Sequence, residues 1–309
     1  GDVLKDLPYP EALKLNTLLD NAKIIGMIAE GDNAWLKMMD SETGRIHGQV
    51  NTNGTRTRRC THYKPNLAQV PVFEGLGKRC RELFIIPEGY KLVGADASGL
   101  ELRMLSHYLH KYDGGAYGQI VLHGDIHTAN QESAGLATRN EAKTFIYAYL
   151  YGSGANGLAN TFGWTVHQAR KTMKQFLAAN PFIGKLRDSL IAEYTGNNGW
   201  LESLDGIPIW NPSQHTALNT CLQAAGAIFM KRACTIFEER LQDSGLKEHV
   251  KMVGQVHDES QQEVLDKDEM PDTVGKMMVQ SFVEAGNYYN LNIPMDGEYA
   301  VGDDWSETH

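Results

Sequence analysis

DASGLELR, residues 96–103, stands where a short apolar run changes into a helical pattern. The run Tyr90 to Ala95 predicts a short strand that ends at Asp96, and Leu100 to Tyr112 has the periodicity of a helix. A carboxylate at a strand end is held rigidly, as metal binding requires. A lone aspartate there is also a common helix N-cap. The role of Asp96 therefore depends on what the rest of the chain places beside it.

A second carboxylate stands far along the chain, in VGQVHDESQQEV, residues 253–264. The pattern over Val250 to Val264 predicts two strands joined by a turn at His257 and Asp258. A tight turn favours aspartate for its local hydrogen bonds, but it does not explain adjacent acids, Asp258 and Glu259, after a histidine. Asp96 and Asp258 come from separate segments, and such a pair can hold two Mg²⁺ ions.

A third stretch, RNEAKTFIYAYLYG (residues 139–152), places Arg139, Lys143, Tyr147 and Tyr151 four residues apart. Each step of four drifts by roughly 40° around a helix, so the four side chains share one broad face. Arginine and lysine one turn apart can hold a polyphosphate, and the tyrosines offer rings to a base or sugar. An amphipathic helix with an aromatic core stripe is the alternative, which the aromatics alone would favour. The order of all four residues favours nucleotide binding, and with the two carboxylates it predicts two-metal phosphoryl transfer.

Length and composition set the class of protein. A chain of 309 residues predicts two or three subdomains, and 42% apolar residues exclude a disordered chain. No apolar run approaches the roughly 18 residues that span a bilayer, and GDVLKDLPYPEALK, residues 1–14, lacks the features of a signal peptide. The scattered cysteines predict reduced thiols in the cytoplasm, with neither disulfides nor a zinc site: Cys60, Cys80, Cys221 and Cys234.

The net charge of -9 is unevenly distributed. Residues 43–73 carry five Lys/Arg and no acid, and residues 142–187 carry six Lys/Arg and no acid. Residues 257–309 carry thirteen Asp/Glu against two lysines. Two basic surfaces suit a phosphate backbone, while ordinary solvated faces with chance clustering remain the alternative.

The remaining chain is predicted to be mostly helical, without repeats or a flexible linker. Residues 44–71 are predicted to form turns and short strands. Leu204 to Pro208 is predicted to form a hairpin turn, whose proline would confine the second strand to the edge of a sheet. Helical patterns cover Glu11 to Met39 with a break near Gly31, most of Asp113 to Trp200, Ser213 to Asp243, and Asp268 to Asn287.

The three stretches resemble motifs A, B and C of family A DNA polymerases, the bacterial DNA polymerase I type. DASGLELR, AKTFIYAYLYGSG and VHDE are most similar to the replicative polymerases of short-tailed bacteriophages. The resemblance runs from about Glu11 to the C-terminus. Other segments that look like the family stand in its order: IHGQVNTNGTRTRRCTHYKPNLAQVP (46–71), GDIHTANQ (124–131), ALNTCLQAAGAI (217–228) and GDDWSETH (302–309).

The resemblance implies an α/β (α+β) right-hand fold with an antiparallel palm sheet, helical fingers and a truncated thumb. It divides the chain into a remnant of thumb helices (1–40), the first part of the palm with motif A (41–112), the fingers with motif B (113–210), and the second part of the palm with motif C (211–309). It also implies a DNA-templated DNA polymerase that uses primer-template DNA, dNTPs and two Mg²⁺ ions.

The resemblance also implies roles for single residues in catalysis. Asp96, Asp258 and the carbonyl of Ala97 would bind the metal ions, with Glu259 in a supporting catalytic role. Lys143 would donate the proton to the leaving pyrophosphate.

Other residues match the family's nucleotide and DNA contacts. Arg139, Lys143 and His127 would bind the triphosphate. Glu101 would pack under the sugar and exclude a 2′-hydroxyl, and a tyrosine at Tyr147 implies tolerance of 2′,3′-dideoxynucleotides. Tyr151 would lie by the templating base. The primer-template terminus would be lined by Arg59, Asn219, Gln223 and His257.

Two departures from the family pattern stand out. The family has Thr-Gly-Arg where this chain has Thr57-Arg58-Arg59, so the additional arginine either adds a phosphate contact or shifts the loop. The chain starts at Gly1, partway through the expected thumb, and shows no set of 3′–5′ exonuclease carboxylates. A fragment, a processed product and one half of a split polymerase, whose partner chain carries the exonuclease and thumb, all fit.

Two other functions compete with a DNA polymerase. A single-subunit RNA polymerase or reverse transcriptase is disfavoured by Glu101, since a carboxylate there would block a ribose 2′-hydroxyl. A non-catalytic DNA-binding subunit is disfavoured by the intact carboxylates and the basic helix. A weaker form of the latter stays open, in which the chain binds DNA too poorly to polymerise alone.

Overall fold

The computed structural model describes residues 9–71 and 76–308, which form two compact units. The smaller unit contains residues 9–52 and 60–70, and the larger unit contains residues 53–59, 71 and 76–308. The first basic stretch is therefore divided, with Arg56, Arg58 and Arg59 in the larger unit. The start of the expected thumb segment, residues 1–8, and the final His309 lie outside the described residues.

The smaller unit begins with helix α1, Pro10–Ile25, which carries a proline at its first position, where the missing N–H costs nothing. It continues as a π-helical turn, Gly26–Glu30, and ends at Gly31. The predicted break near Gly31 is confirmed. This unit also contains a short helix, α2 (Trp35–Met38), two antiparallel strands, β1 (Gln49–Asn51) and β2 (Thr61–Tyr63), and a 3₁₀ turn, Leu67–Gln69.

The larger unit is centred on a four-stranded antiparallel sheet. Its strands are β3 (Tyr90–Ala97), β6 (Val250–Val256), β7 (Glu259–Leu265) and β8 (Gly297–Gly302), in the order β6-β7-β3-β8. The predicted antiparallel sheet and the hairpin with its tip at His257 and Asp258 are confirmed. The prediction that β3 ends at Asp96 is wrong, because Asp96 and Ala97 still pair with Glu298 and Gly297 of β8.

A helical region precedes the second half of the sheet, as predicted. Threonine capping boxes start two of its helices, with Thr138 paired to Glu141 and Thr165 paired to Gln168. The helices of the larger unit up to this point are α3 (Leu76–Arg81), α4 (Leu100–Asp113), α5 (Ala116–His123), α6 (Ile126–Ala134), α7 (Arg139–Leu150), α8 (Ala155–Phe162), α9 (Val166–Ala179) and α10 (Pro181–Gly196).

The predicted hairpin follows, with β4 (Trp200–Glu202) and β5 (Pro208–Trp210) forming their own two-stranded sheet. Two long helices come next, α11 (Ala217–Asp243) and α12 (Met270–Tyr288). The helix predicted from Ser213 begins later, because residues 214–216 form a 3₁₀ turn.

One hydrophobic core joins the sheet and the helices of the larger unit. Phe229 of α11 and Phe282 of α12 lie 6.2 Å apart between ring centres, and both are fully buried. Val93 and Val264 contribute the sheet's side of the core. In the helical region, Phe145 and Phe176 meet edge to face at 5.4 Å. Among the described residues, no helix is both long and apolar enough to cross a membrane.

Candidate active site

Backbone pairing places the two predicted metal-binding aspartates side by side. The register of β3 against β7 sets Asp96 opposite Glu259, and the N–H of Ala97 donates to the carbonyl of Asp258 at 3.0 Å. Asp258 occupies the tip of the β6–β7 hairpin, and both aspartates are half-buried. Since hydrogen bonds of the sheet set these positions, the pair forms wherever the sheet forms.

The hairpin tip has an unusual backbone. His257 adopts a φ of 56°, in the left-handed region, which histidine enters more readily than most residues. It is exposed, whereas Asp258 beside it is half-buried. Two residues, His257 and Asp258, thus close the hairpin, and the carbonyl of Asp258 accepts from the N–H of Ala97 in β3.

The electrostatics of this corner favour a bound cation. Burial, followed by the charge of Glu101, raises the pKa of Asp258, while Arg59 lowers it. Within the described residues there is no group of three or more His, Cys, Asp or Glu side chains that could hold a metal. Asp96, Asp258 and the Ala97 carbonyl are hard oxygen donors, which suit Mg²⁺, an ion that usually keeps waters and substrate phosphates as further ligands. These residues therefore fit a substrate-assisted metal site.

Glu101, in the first turn of α4, is held from two sides. Arg59 Nη2 donates to its Oε1 at 3.1 Å, and the hydroxyl of Tyr151 donates to the same oxygen at 2.8 Å. The side chains of Arg59 and Glu101 are 18% and 13% exposed, so their ion pair is only partly screened by water. Three predicted site residues from distant segments therefore share one hydrogen-bonded cluster.

The basic end of α7 is exposed and already paired. Arg139 Nε donates to Asp125 Oδ2 at 2.7 Å, and Asp125 also caps α6 by accepting from the backbone N–H groups of His127 and Thr128. Hydrogen bonds, that from Arg139 first, hold the pKa of the Asp125 carboxyl well below its usual range. Lys143, one turn further along α7, is exposed.

His127 lies near the basic residues of α7, and Tyr147 lies near the carboxylates. Burial and the nearby charges of Arg139 and Lys143 lower the pKa of His127. Its ring centre lies 6.2 Å from that of Tyr147. Burial raises the pKa of Tyr147 to about 12, with further contributions from the charges of Glu101, Asp258 and Asp96. Tyr147 thus lies within electrostatic reach of all three carboxylates.

Glu259 occupies a different environment. It is 2% exposed, and its Oε1 accepts from the indole N–H of Trp305 and from Gln261 Nε2. Arg81 lies over the Trp305 ring at 4.3 Å and is 3.8 Å from Glu259 Oε2. These contacts attach the C-terminal segment to the sheet. The same segment passes so close to Gly94 that a Cβ there would lie 2.4 Å from the carbonyl oxygen of Thr308, which leaves no space for a side chain.

Two of the residues predicted to line the primer-template terminus share one helix. Asn219 and Gln223 lie one turn apart on α11, and both are half-buried. The Oδ1 atom of Asn219 is buried without a hydrogen-bond partner. A Cβ at Gly152, just after α7, would lie 3.9 Å from that of Asn219, which places α11 beside the end of the tyrosine-bearing helix.

Several residues of the site were not predicted from the sequence. Asp125 had a usable signal, since an aspartate directly before a helical pattern is a standard N-cap, but its pairing with Arg139 had none. Asp205, Arg81 and Trp305 contact predicted residues across large sequence separations, which no local pattern reveals.

Comparisons with known proteins agree on one family. A family model described as DNA polymerase family A matches residues 2–307. The DNA-directed DNA polymerase of Enterobacteria phage T3 is 37% identical over 313 residues, and that of Escherichia phage T7 is 37% identical over 317 residues. Each alignment covers 93% of this chain and 44% of the relative, so the chain spans less than half the length of these curated relatives.

A solved structure shares the fold. It is the POL domain of Pol1 from M. smegmatis in complex with DNA primer-template and dNTP. The TM-score is 0.86 at 24% sequence identity, over 99% of this chain and 56% of that one. The predicted polymerase fold is therefore confirmed.

Proposed function

The chain belongs to DNA polymerase family A, and on that basis we propose that it extends a primer as a DNA-templated DNA polymerase. The reaction joins a dNMP to the primer 3′-hydroxyl and releases pyrophosphate. The observation that carries the proposal is the backbone pairing of Asp96, Ala97 and Asp258, with Tyr147 of the basic helix within electrostatic reach. Carboxylates that can bind metal ions, together with cations that can bind phosphates, suit a triphosphate bound through metal ions.

We propose that Asp96, Asp258 and the Ala97 carbonyl hold two Mg²⁺ ions. When bound, the ions would activate the attacking hydroxyl and neutralise charge on the phosphates. The sheet fixes the backbone of Asp96 and Ala97. Both carboxylates are half-buried, which restricts the rotation of their side chains before a metal binds. Glu259, buried under Trp305, would support this corner from behind without touching the reacting atoms.

The basic face of α7 would receive the triphosphate. Arg139 and Lys143 supply positive charge one turn apart, and His127 stands beside them. Lys143 would give a proton to the pyrophosphate as it leaves, which a positioned ammonium group can do. Arg139 would exchange Asp125 for the phosphate oxygens.

The cluster around Glu101 would read the sugar and the template. Glu101, held by Arg59 and Tyr151, would occupy the space of a ribose 2′-hydroxyl and so disfavour ribonucleotides. Tyr147 would lie near the 3′ position, and Tyr151 by the templating base. The primer terminus would be contacted by Arg59, Asn219, Gln223 and His257.

The same proposal assigns the regions of the chain. Residues 41–112 and 211–309 would form the palm, residues 113–210 the fingers, and residues 1–40 a part of the thumb. The partners would be primer-template DNA and dNTPs, in the cytoplasm of a bacterial host if a phage encodes the chain. The alternative is a polymerase subunit of a split enzyme that is inactive or weak without a partner chain carrying thumb and exonuclease.

Primer extension tests the proposal. The wild-type chain, Asp258→Asn and the control Asp266→Asn are each given a labelled primer-template, Mg²⁺ and dNTPs. Asp266 is an exposed residue that follows the far end of the same β-hairpin. We expect extension by the wild type and the control, and a loss of at least about a thousandfold for Asp258→Asn, as for other catalytic groups.

Each outcome has a distinct reading. Extension by folded Asp258→Asn would refute the metal assignment. DNA binding without extension by any variant would favour a subunit that needs a partner chain. Shortening of the labelled primer in the absence of dNTPs would contradict the expected lack of 3′–5′ exonuclease activity.

A further inference from the structure

The loop that ends at Arg59, the arginine paired with Glu101, contains a turn held by hydrogen bonds between its own residues. The Thr55 hydroxyl accepts from the N–H of Arg59 at 2.9 Å, and the N–H of Arg58 donates to the Thr55 carbonyl at 3.0 Å. Arg58 itself has a φ of 60°, a left-handed backbone that favours glycine.

The Arg58 side chain is attached to the β4–β5 hairpin. Its Nη1 donates to both carboxylate oxygens of Asp205, at 3.1 and 2.8 Å, and its Nη2 donates to the carbonyls of Ile207 and Pro208 at 3.4 and 3.5 Å. The side chains of Arg58 and Asp205 are only 18% and 24% exposed. A guanidinium engaged in this way anchors the loop to the hairpin.

The next residue of the same loop binds the opposite anchor. Arg59 donates to Glu101 at the start of α4, while Arg58 binds the hairpin. Two consecutive arginines thus hold residues 55–59 between α4 and the hairpin. If the hairpin end is released, the loop can move and Arg59 loses its fixed distance to Glu101.

We propose that Arg58 is a positioning residue, which clamps the 55–59 loop to Asp205 so that Arg59 keeps Glu101 in place. The proposal rests on the proposed function, in which Glu101 excludes ribonucleotides. Without the clamp, Glu101 retains the Tyr151 hydroxyl but loses its charged partner, so its carboxylate samples more positions. Selection between deoxyribose and ribose weakens, although Arg58 touches neither sugar nor metal.

The first experiment measures sugar selection, as the ratio of kcat/KM for dNTP to that for rNTP. Arg58→Gly is the informative variant, since glycine accepts a φ of 60° without strain and lacks the guanidinium that forms the clamp. Lys276→Ala is the control, because it removes an exposed positive charge from α12, outside the loop and the hairpin. We expect the ratio to fall about three- to tenfold in Arg58→Gly, in the range of coupled neighbouring residues, and to stay unchanged in the control.

Two further variants separate the clamp from a general loss of structure. Asp205→Asn should reproduce the effect of Arg58→Gly, and the double variant should be no worse than either single variant. In a Glu101→Ala background, which itself relaxes sugar selection, Arg58→Gly should change the ratio no further, because the group it positions is gone. Wild-type sugar selection in Arg58→Gly, or an equal loss with and without Glu101, would overturn the proposal.

Thermal unfolding keeps the clamp testable if the chain proves inactive. The absence of extension by the wild type would count against the proposed function alone. The clamp still predicts that the Tm shifts of Arg58→Gly and Asp205→Asn are non-additive, and likewise those of Arg58→Gly and Glu101→Gln. Additive shifts in both pairs would overturn it.

Discussion

The carboxylate corner and the basic helix of the larger unit are built in different ways. At the corner, the backbone sets the geometry: β3 pairs with β7 and β8, and the Ala97 N–H bonds to the Asp258 carbonyl. On α7, the helix sets only the spacing of Arg139 and Lys143, whose exposed side chains find their own partners. Arg139 has found Asp125.

The difference teaches which part of the site is preformed. On the proposed function, Asp96 on a sheet strand and Asp258 at a hairpin tip are in place before substrate arrives, whereas exposed cations on a helix can exchange a protein partner for a ligand. An exposed ion pair contributes about 0–1 kcal/mol, so a triphosphate would displace Asp125 from Arg139 at little cost. Substitutions at the corner should therefore affect chemistry, and those around Arg139 should affect nucleotide affinity.

Lys143→Ala should have the largest effect on the helix side. Loss of a positioned proton donor and triphosphate contact should lower kcat by about a hundred- to ten-thousandfold. Lys174→Ala, an exposed lysine on α9, should leave kcat unchanged. Single-turnover incorporation measures both. If Lys143→Ala changes only KM, the helix serves nucleotide binding alone, and the chemical step depends on the carboxylate corner.

Tyr147→Phe should act on sugar selection rather than on rate. The variant keeps the ring beside His127 and loses the hydroxyl that lies within reach of the carboxylates. We expect incorporation of dideoxynucleotides to fall about ten- to a hundredfold relative to dNTPs, the size of one lost hydrogen bond to a charged group. Tyr149→Phe is the control, since that ring is buried against Phe145 and Phe176. Equal termination by the two variants would remove this role from Tyr147.

Asp125→Asn should have a smaller effect than the two preceding substitutions, and it should act on the affinity for dNTP. Asparagine retains the N-cap of α6 but loses the ion pair that occupies Arg139, so KM for dNTP should fall about two- to fivefold, in keeping with an exposed pair. Asp113→Asn is the comparison, because Asp113 bonds the backbone N–H groups of Gly115 and Tyr117 in a similar turn. An increase in KM would mean that Asp125 positions Arg139 for the nucleotide instead of competing with it.

The sequence allowed the corner to be predicted better than its surroundings. An apolar strand followed by an acid, and a hairpin tip with two acids, are local patterns, and both aspartates lie where these patterns put them. The strand β3 was predicted too short, because its last pairs form with β8, about two hundred residues away, and pairing across that distance leaves no local signature. The partners of Arg58 and Glu259 escaped prediction for the same reason.

The burial of Glu259 also shows a limit of reasoning from motifs. Adjacent acids in a motif suggest adjacent roles, yet Glu259 is the first residue of β7, whereas Asp258 lies in the turn before it. Glu259 faces Trp305 and Gln261 in the interior, while Asp258 stays at the half-buried tip. Only the three-dimensional packing of the C-terminal segment distinguishes them.

The smallest predicted effect is that the ionised carboxylate of Asp258 lowers the stability of the fold when no metal is bound. The folded-state pKa of Asp258 is raised above its reference value of 3.8, chiefly by burial, so its ionised form is less favourable in the folded than in the unfolded chain. Its contribution to stability is therefore lost as pH rises from 3.8 through the raised pKa. Without metal at pH 7, Asp258→Asn should therefore melt slightly higher than the wild type, because asparagine carries no charge to bury.

The pH and the metal each give this prediction a separate check. The difference in Tm should shrink as pH falls towards 3.8, where the wild-type carboxyl becomes protonated in both states. Added Mg²⁺ should raise the Tm of the wild type more than that of Asp258→Asn, because a ligand stabilises only the state that binds it. A metal-free Asp258→Asn that melts lower at pH 7 would mean that the ionised carboxylate stabilises the corner on its own, and the preformed side of the site would then owe its shape to charge as well as to backbone pairing.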